Sequence, residues 1–302
     1  MKKRKILFVC LLFLCFYSEL AKAQRVDEIR KALLNPKTDK VLVVAHRGFW
    51  RCNAPENSLA AIDSAIQAKI DMVELDIYKT KDGHPVLLHD GTVDRTTDGK
   101  GSVSDMTLAE VKQLHLRDKE GNLTNHRIPT LEEALLKAKG NIMVNLDKAY
   151  DIFDDVYRII EKTGTANLIV MKSDRPAGEV KRDLGAYLDK IIYMPVVGID
   201  RPDAERYVKD YWKQLRPVAF ELCYADPASN MPLKIKKILL RKSLCWYNTL
   251  WASLAGGHDD EAARKDPDKS YGVLIEEYRA RILQTDDPIY LLNYLRSKGL
   301  HD

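Results

Sequence analysis

Residues 72–78 read MVELDIY, a short apolar run with two carboxylates set into it. Apolar, β-branched and aromatic residues in a run of this length indicate a buried strand. Seven more runs of this kind occur along the chain, and amphipathic segments of helical period separate most of them. The eight runs are VLVVAH (41–46), MVELDIY (72–78), NIMVNLD (141–147), NLIVMKS (167–173), KIIYMPVV (190–197), PVAFEL (217–222), SLCWYN (243–248) and RILQTD (281–286).

Eight strands alternating with helices predict an α/β fold, the (β/α)8 TIM barrel, with an open doubly wound sheet as the alternative. Functional residues of such barrels lie at the carboxyl ends of the strands. Polar residues do follow the apolar part of several predicted strands, as in HRG after VLVVA. The segment of about 82–129 breaks the alternation with its own strand PVLLHD and helix TLAEVKQL, which predicts a small insertion after the second strand.

The N-terminus indicates export. Residues 1–23 place a Lys/Arg cluster before an apolar run that ends in Ala-Lys-Ala, the pattern of a secretory signal peptide. The apolar run is shorter than the roughly 20 residues of a spanning helix, so we expect cleavage rather than a stable membrane anchor. The mature domain is then residues 24–302, in the periplasm or secreted.

Composition excludes several classes of protein. The formal net charge of +4 includes the basic cluster of the signal peptide, so the mature domain is close to neutral and shows no basic footprint for nucleic acid. Of five cysteines, the mature chain keeps Cys52, Cys223 and Cys245. An odd number argues against a disulfide framework, although one bridge with a free thiol remains open.

Glu74 and Asp76 are two residues apart on a predicted strand, so their side chains project from the same face, which is the barrel interior. Two carboxylates inside a barrel need a cation. Hard oxygen ligands favour Ca²⁺ or Mg²⁺ over a softer metal. A salt-bridged pair of core carboxylates is the alternative.

Two histidines follow predicted strands. His46 precedes Arg47 and a glycine, which suits the mouth of a barrel with a guanidinium directed at a phosphate. His89 precedes Asp90, whose carboxylate would orient the imidazole ring. Each signal is weak alone, and the ordered combination carries the argument.

The ordered motifs are HRG (46–48), PEN (55–57), E-x-D (74–76), DG-x-P-V-L-x-HD (82–90) and RTT-x-G-x-G (95–101), followed by IPTLEEAL and QTDDP. This series resembles the glycerophosphodiester phosphodiesterase family. The resemblance implies a barrel with an insertion after its second strand, a divalent cation (Ca²⁺ or Mg²⁺), and hydrolysis of a small-molecule glycerophosphodiester to glycerol 3-phosphate and an alcohol.

The resemblance also implies roles for single residues. His46 and His89 match the acid and base pair, and which of them is the base stays open. Arg47 matches the phosphate-binding arginine, and Glu74 and Asp76 match two metal ligands. Asn57 matches the last position of the PEN motif and is expected to bind substrate, with a helix N-cap as the alternative role.

The third strand departs from the family, which usually carries a glutamate and a lysine two residues apart there. This chain has Asn145-Leu146-Asp147-Lys148. Alternation predicts that Asn145 and Asp147 point inward and that Lys148 points outward. The third metal ligand is then Asn145 or Asp147, and we expect both to line the site. Lys172 on the next strand would then supply the missing positive charge.

The remaining candidates lie further along the chain. Glu221 and Trp246, at the ends of the sixth and seventh strands, are predicted to line the leaving-group pocket. The polar segment after the seventh strand, which includes His258, Asp259 and Asp260, is expected to be a solvated loop, with substrate or a second cation as the alternative.

Two rival functions stay open at this point. One is a related barrel enzyme, a lysophospholipase D or a phosphoinositide-type phosphodiesterase. The other is a non-catalytic binding barrel that retains the fold. The attacking group is also open, since either water or a hydroxyl of the substrate glycerol can attack the phosphorus.

Overall fold

The computed structural model describes residues 24–302. Its strands, in chain order, are β1 Leu42–Ala45, β2 Met72–Lys79, β3 Pro85–Leu87, β4 His115–Arg117, β5 Leu123–Arg127, β6 Met143–Asp147, β7 Ile169–Ser173, β8 Ile192–Gly198, β9 Ala219–Cys223, β10 Leu244–Asn248 and β11 Ala280–Thr285. Eight of them, β1, β2 and β6 to β11, pair in parallel in chain order. The barrel closes because β1 pairs with both β2 and β11.

The helices are α1 (24–34), α2 Leu59–Gln67, α3 Leu108–Val111, α4 Leu131–Ala138, α5 Phe153–Thr163, α6 Ala177–Leu184, α7 Ala204–Leu215, α8 Met231–Leu239, α9 Asp260–Lys265 and α10 Pro288–Ser297. A π-helix, Asp268–Glu277, lies between α9 and β11. The start of α4 shows why these segments fold locally, because Thr130 and Glu133 form a capping box that satisfies free N–H groups at the N-terminus.

The barrel interior has two layers. Its lower layer, at the amino ends of the strands, is apolar and includes Val44, Met72, Met143 and Trp246. Helix α1 closes this end, and Val26, Ile29 and Leu33 belong to the same apolar cluster. Polar side chains occupy the layer above. A larger apolar cluster fills the space between the outer faces of the strands and the surrounding helices.

The insertion has a small core of its own. Strand β3 pairs antiparallel with β2, and β4 pairs antiparallel with β5 in a separate two-stranded sheet. The apolar side chains that the insertion buries together are Val86, Leu88, Val93, Val103, Val111, Leu116 and Ile128. This unit lies beside the carboxyl end of β2, so it flanks the polar layer of the barrel.

The predicted fold class is confirmed, and each of the eight predicted strands is a barrel strand. Helix α6 and the β4–β5 pair were not predicted, because neither has a long enough periodic pattern. The predicted signal peptide, residues 1–23, lies outside the described residues. Within residues 24–302, no helix combines the length and apolar character needed to cross a membrane. Cys52, Cys223 and Cys245 are all free thiols.

Candidate active site

Three carboxylates meet inside the upper layer of the barrel. Glu74 and Asp76 project from β2, and Asp147 from the neighbouring strand β6, where it pairs in register with Asp76. Each offers an oxygen, and these oxygens all lie within 4.8 Å of one another. Glu74 and Asp76 are both only 2% exposed, whereas the Asp147 side chain is 38% exposed, so the acidic cluster opens to solvent at Asp147.

Asn57 supports the acidic cluster through both ends of its side-chain amide. Its Nδ2 donates to Asp76 Oδ2 at 2.9 Å, and its Oδ1 accepts from the Asp76 backbone N–H at 3.0 Å. Asp76 thus orients both ends of the amide, which leaves one N–H of Nδ2 without a partner, and the substrate-binding role of Asn57 stays a prediction. The alternative role was wrong, because Ser58 is the N-cap of α2.

The turn after β1 brings Arg47 to the cluster. Arg47 has a left-handed backbone, with φ of 55°, and its N–H donates to Glu74 Oε2 at 3.0 Å. Its Nη1 donates to Glu56 Oε1 at 3.0 Å, and its Nε lies 3.7 Å from Asp76 Oδ2. Gly48 permits this turn, since its φ is +77° and a Cβ there would lie 2.8 Å from the Cβ of Ala61.

His46 is fixed by a carboxylate from the last barrel strand. Its Nδ1 lies 2.9 Å from Asp286 Oδ1, which also accepts from Trp50 Nε1 at 3.1 Å. Arg51 donates to the other oxygen of Asp286 at 3.0 Å. A carboxylate only accepts, so the hydrogen lies on Nδ1 of His46. Burial raises the pKa of Asp286, but the contacts with His46 and Arg51 lower it more, so the pKa lies below its ordinary value.

His89 is fixed in the same way, within the insertion. Its Nδ1 lies 2.6 Å from Asp90 Oδ1. Arg95 donates to both oxygens of Asp90, and its hydrogen bonds hold the pKa of that carboxyl well below the ordinary range. No hydrogen bond within residues 24–302 involves Nε2 of either His46 or His89.

Lys172 of β7 lies among the carboxylates inside the barrel. Its Nζ is 3.1 Å from Asp147 Oδ2, 3.4 Å from Glu221 Oε2 and 3.9 Å from Glu74 Oε1. Burial alone would lower the pKa of Lys172, but these carboxylates raise it well above its ordinary value. The structure thus places Lys172 and Glu221 together as a charge pair behind the acidic cluster.

Lys148 does not point outward, and that prediction was wrong. Strand β6 ends at Asp147, and Lys148 takes a left-handed backbone with φ of 57°. This turn breaks the strand alternation and returns the side chain to the site. Its Nζ lies 3.1 Å from Asp76 Oδ1 and donates to the carbonyl of His89. Asn145 does point inward, where its Nδ2 donates to the carbonyl of Val170.

Trp246 does not line a leaving-group pocket, so that prediction was also wrong. Its side chain is fully buried in the lower, apolar layer of the barrel. Its Nε1 donates to Asn248 Oδ1 at 2.7 Å, and Asn248 Nδ2 donates to Glu221 Oε1 at 2.8 Å. Trp246 therefore supports the floor of the site through Asn248 and Glu221.

The segment after β10 is folded rather than a solvated loop. Asp259 caps α9 by accepting from the N–H of Ala262, and His258 Nδ1 lies 3.1 Å from the carbonyl of Lys269. Asp260 is buried, with 5% of its surface exposed. Sequence reasoning gave no role to Trp251, which is 49% exposed and meets His46 edge-on with ring centroids 6.4 Å apart.

The electrostatics of the acidic cluster favour a bound cation. Burial, followed by the charge of Asp76, raises the pKa of Glu74 to about 7. Burial raises the pKa of Asp147, but the charge of Lys172 lowers it more, so the pKa lies below its ordinary value. In addition, Asn145 Oδ1 is buried and has no hydrogen-bond partner in the described part of the chain. The three carboxylates form a hard donor set that suits Ca²⁺ or Mg²⁺, and Asn145 pairs in register with one of them, Glu74.

Fold and site together define a (β/α)8 barrel protein with two aspartate-bound histidines beside an acidic cluster. Residues 46–176 match the model of the glycerophosphoryl diester phosphodiesterase family. A second model, described as a domain of unknown function, matches residues 193–295. The segment 46–176, which holds both histidines and the three carboxylates of the acidic cluster, is therefore similar to the glycerophosphoryl diester phosphodiesterase family.

Curated relatives carry the same name. The glycerophosphodiester phosphodiesterase of Caldanaerobacter subterraneus is 47% identical over 110 residues, which are 36% of this chain and 45% of the relative. Glycerophosphodiester phosphodiesterase 1 of Bos taurus is 32% identical over 203 residues, which are 63% of this chain and 60% of the relative. The chain thus matches about half of the length of these relatives.

Solved structures share the fold. A glycerophosphoryl diester phosphodiesterase from Parabacteroides distasonis has a TM-score of 0.71 at 24% identity, covering 90% of this chain and 92% of its own. An Oleispira antarctica phosphodiesterase in complex with the product sn-glycerol-3-phosphate has a TM-score of 0.65 at 21% identity, covering 85% and 97%. These likenesses extend over the barrel beyond the segment that matches the family model.

Proposed function

We propose that the protein hydrolyses glycerophosphodiesters to glycerol 3-phosphate and an alcohol, using His46 and His89 as acid and base. One observation carries the proposal. Each histidine has its Nδ1 held by an aspartate, and the two flank an acidic cluster that suits a divalent cation. The names of the curated relatives and the glycerol 3-phosphate bound to the Oleispira antarctica phosphodiesterase support this substrate class.

The two histidines are prepared for proton transfer. Because Asp286 and Asp90 fix the hydrogen on Nδ1, each Nε2 is left to accept or donate a proton on the substrate side. A neutral Nε2 serves as base, and a protonated Nε2 serves as acid. The aspartates stabilise the charged ring that forms in either role.

The reaction needs one proton accepted and one proton given. The attacking oxygen, from water or from a hydroxyl of the substrate glycerol, bonds to phosphorus while one imidazole accepts its proton. The phosphorus–oxygen bond to the alcohol breaks, and the other imidazole protonates the departing oxygen. If the glycerol hydroxyl attacks first, water opens the resulting cyclic phosphate in a second step.

Arg47 and Lys148 supply positive charge around the phosphodiester. The Arg47 side chain is 13% exposed, and its guanidinium would donate to a phosphoryl oxygen. The ammonium of Lys148 lies between the Asp76 carboxylate and the backbone carbonyl of His89, so it connects the acidic cluster to the segment that carries His89. These donors counter charge that develops on phosphoryl oxygens in the transition state.

Glu74, Asp76 and Asp147 would hold the divalent cation, with Asn145 Oδ1 as an additional oxygen donor. The bound cation would supply Lewis-acid polarisation of the phosphoryl oxygens. Lys172 balances charge behind this set, since it contacts Asp147, Glu221 and Glu74. The donor chemistry suits Ca²⁺ and Mg²⁺ alike.

The test measures release of glycerol 3-phosphate from glycerophosphocholine, glycerophosphoethanolamine and glycerophosphoinositol by residues 24–302. Each substrate is tested with Ca²⁺, with Mg²⁺ and after chelation. Cation-dependent release that His46→Ala and His89→Ala each abolish supports the proposal. His126→Ala is the matched control, because His126 is exposed on β5 and its loss should leave turnover unchanged.

No turnover with any diester and any cation would overturn the hydrolase proposal and favour a binding barrel. Turnover confined to lysophospholipids would instead favour a lysophospholipase D. Calorimetric titration of Ca²⁺ and Mg²⁺ into the wild type and Glu74→Gln tests the cation site separately. Equal affinity in both proteins would place the cation elsewhere.

We further propose that the protein is exported, on the basis of the basic and then apolar residues 1–23 alone. Mass spectrometry of the protein recovered from a secreting host tests this. A mature N-terminus at Gln24 supports export, and retention of residues 1–23 in the recovered protein contradicts it.

A further inference from the structure

The connection between β10 and β11 encloses a buried carboxylate. Asp260, the first residue of α9, is 5% exposed. Its Oδ1 accepts from the hydroxyl groups of Thr249 at 2.6 Å, Tyr271 at 2.8 Å and Thr285 at 2.7 Å. Its Oδ2 accepts from the backbone N–H of Asp286 at 2.9 Å. Four donors on one carboxylate satisfy the ionised form, which can only accept.

The fourth donor connects Asp260 to His46. Asp286 binds His46 Nδ1 through its side chain, while its backbone N–H is held by Asp260. Thr285 is held as well, because its hydroxyl donates to Asp260 and its carbonyl accepts from the His46 N–H at 3.2 Å. The backbone that carries the Asp286 carboxylate is therefore anchored from behind.

We propose that Asp260 is a positioning residue, which fixes the backbone of Asp286 so that its carboxylate meets His46 Nδ1 and sets the tautomer of the ring. The proposal rests on the proposed hydrolase function for its catalytic consequence. It gives a role to a residue inside the segment 193–295, which matches a model of unknown function.

A small displacement is sufficient to matter. Hydrogen bonds weaken steeply when their angle or length departs from the preferred range. A shift of Asp286 by about 1 Å would release His46 Nδ1, and misplacement of that size can cost on the order of 100-fold in rate. Burial raises the pKa of Asp260, and its four hydrogen bonds act against that rise.

The opposite end of the barrel offers a matched control. Asp71 is 1% exposed and accepts from the Val43 N–H at 2.9 Å, and its Oδ2 lies 2.8 Å from His301 Nε2. It resembles Asp260 as a buried carboxylate that holds backbone, but its contacts lie at the amino end of the strands. Asp71→Asn therefore reports the cost of losing a buried carboxylate without an effect on His46.

The experiment compares wild type, Asp260→Asn and Asp71→Asn by ¹H–¹⁵N spectra of the histidine rings, with His46→Ala to assign the signals. Wild-type His46 should show the Nδ1–H tautomer, and Asp260→Asn should show a mixture. With an active enzyme, kcat of Asp260→Asn should fall about 100-fold with KM within about two-fold. Asp71→Asn should lose stability while its His46 spectrum and kcat stay at wild-type values.

An unchanged His46 tautomer in folded Asp260→Asn would overturn the proposal, whatever its stability. If that variant does not fold, the Thr249→Val/Tyr271→Phe double variant loosens the carboxylate by removing two of its four donors, and the same spectral outcomes apply. The spectrum requires no substrate. Lack of turnover by the wild type would thus refute the hydrolase function while leaving the positioning role to be decided by the spectrum.

Discussion

The guanidinium of Arg95 binds the carboxylate of Glu56 through two hydrogen bonds of 2.8 Å. The same guanidinium donates to both oxygens of Asp90, which holds His89, while Glu56 also accepts from Arg47. A continuous chain of charge-assisted hydrogen bonds thus joins one proposed acid–base histidine to the proposed phosphate-binding arginine. The hydrogen bonds to Glu56 and Asp90 raise the pKa of Arg95 further above its ordinary value, so it stays charged.

Arg95→Lys should lower turnover by about ten-fold or more. A lysine ammonium is a point charge, and it cannot present the planar fork of donors that spans two carboxylates at once. Steady-state kinetics on the preferred diester measures the effect. Arg158→Lys is the control, because Arg158 makes an exposed ion pair with Asp155 on α5. An equal loss of turnover in the two variants would contradict a bridging role for Arg95.

Lys148→Met should reduce kcat by about 100-fold, since it removes a cation from the site and leaves Asp76 without that partner. The chain offers a close control in Lys69, which has the same φ of 57° but is exposed in the turn before β2. Lys69→Met should keep wild-type kinetics. If both variants retain full activity, Lys148 has no part in the reaction.

Most of the barrel could be predicted because each of its strands is a short apolar run with inward polar residues near its end. The alternation of side chains along a strand also placed Glu74, Asp76 and Asp147 correctly on the inner face. The same rule failed at Lys148, because alternation holds only while the strand continues, and a residue with a left-handed backbone ends this strand. No local sequence pattern predicts that a non-glycine residue will take the left-handed conformation.

The supporting network was harder to predict, because its contacts join residues far apart in the chain. His46 and Asp286 are 240 positions apart, and only barrel closure brings them together. The single signal was polarity at the end of the last strand, in QTDDP. The sequence drew attention to Asp260 only as one of several polar residues in its segment, since a buried carboxylate and a solvated one look alike among so many charged residues.

Glu74→Gln should stabilise the cation-free protein, and more so at high pH. Burial raises the pKa of Glu74 from 4.5 to about 7, so the charged form is less favourable in the folded protein than in the unfolded chain. This cost is fully present above pH 7 and disappears as the pH falls to about 4.5. The difference in unfolding free energy between variant and wild type should therefore change by about 3 kcal/mol between pH 8 and pH 4.5.

Denaturant unfolding in the presence of a chelator measures this difference at each pH. Glu261→Gln is the control, because the Glu261 side chain is 83% exposed and its substitution should show no such trend. A constant difference between Glu74→Gln and wild type across this range would mean that Glu74 is not forced to carry a buried charge.

Trp246→Phe should destabilise the barrel by about 3 kcal/mol, because it combines two costs. The smaller ring leaves a cavity in the lower apolar layer, and Asn248 Oδ1 loses the donor that Trp246 Nε1 supplies at 2.7 Å. Trp212→Phe provides a comparison in which ring volume is lost without a hydrogen bond: Trp212 is half-buried on α7, and its Nε1 has no hydrogen-bond partner within the described chain. Denaturant unfolding should therefore show a clearly larger loss for Trp246→Phe. Equal losses of unfolding free energy in the two variants would mean that the hydrogen bond to Asn248 contributes nothing to stability. The support that this bond gives to Glu221 and Lys172 from below would then contribute nothing either.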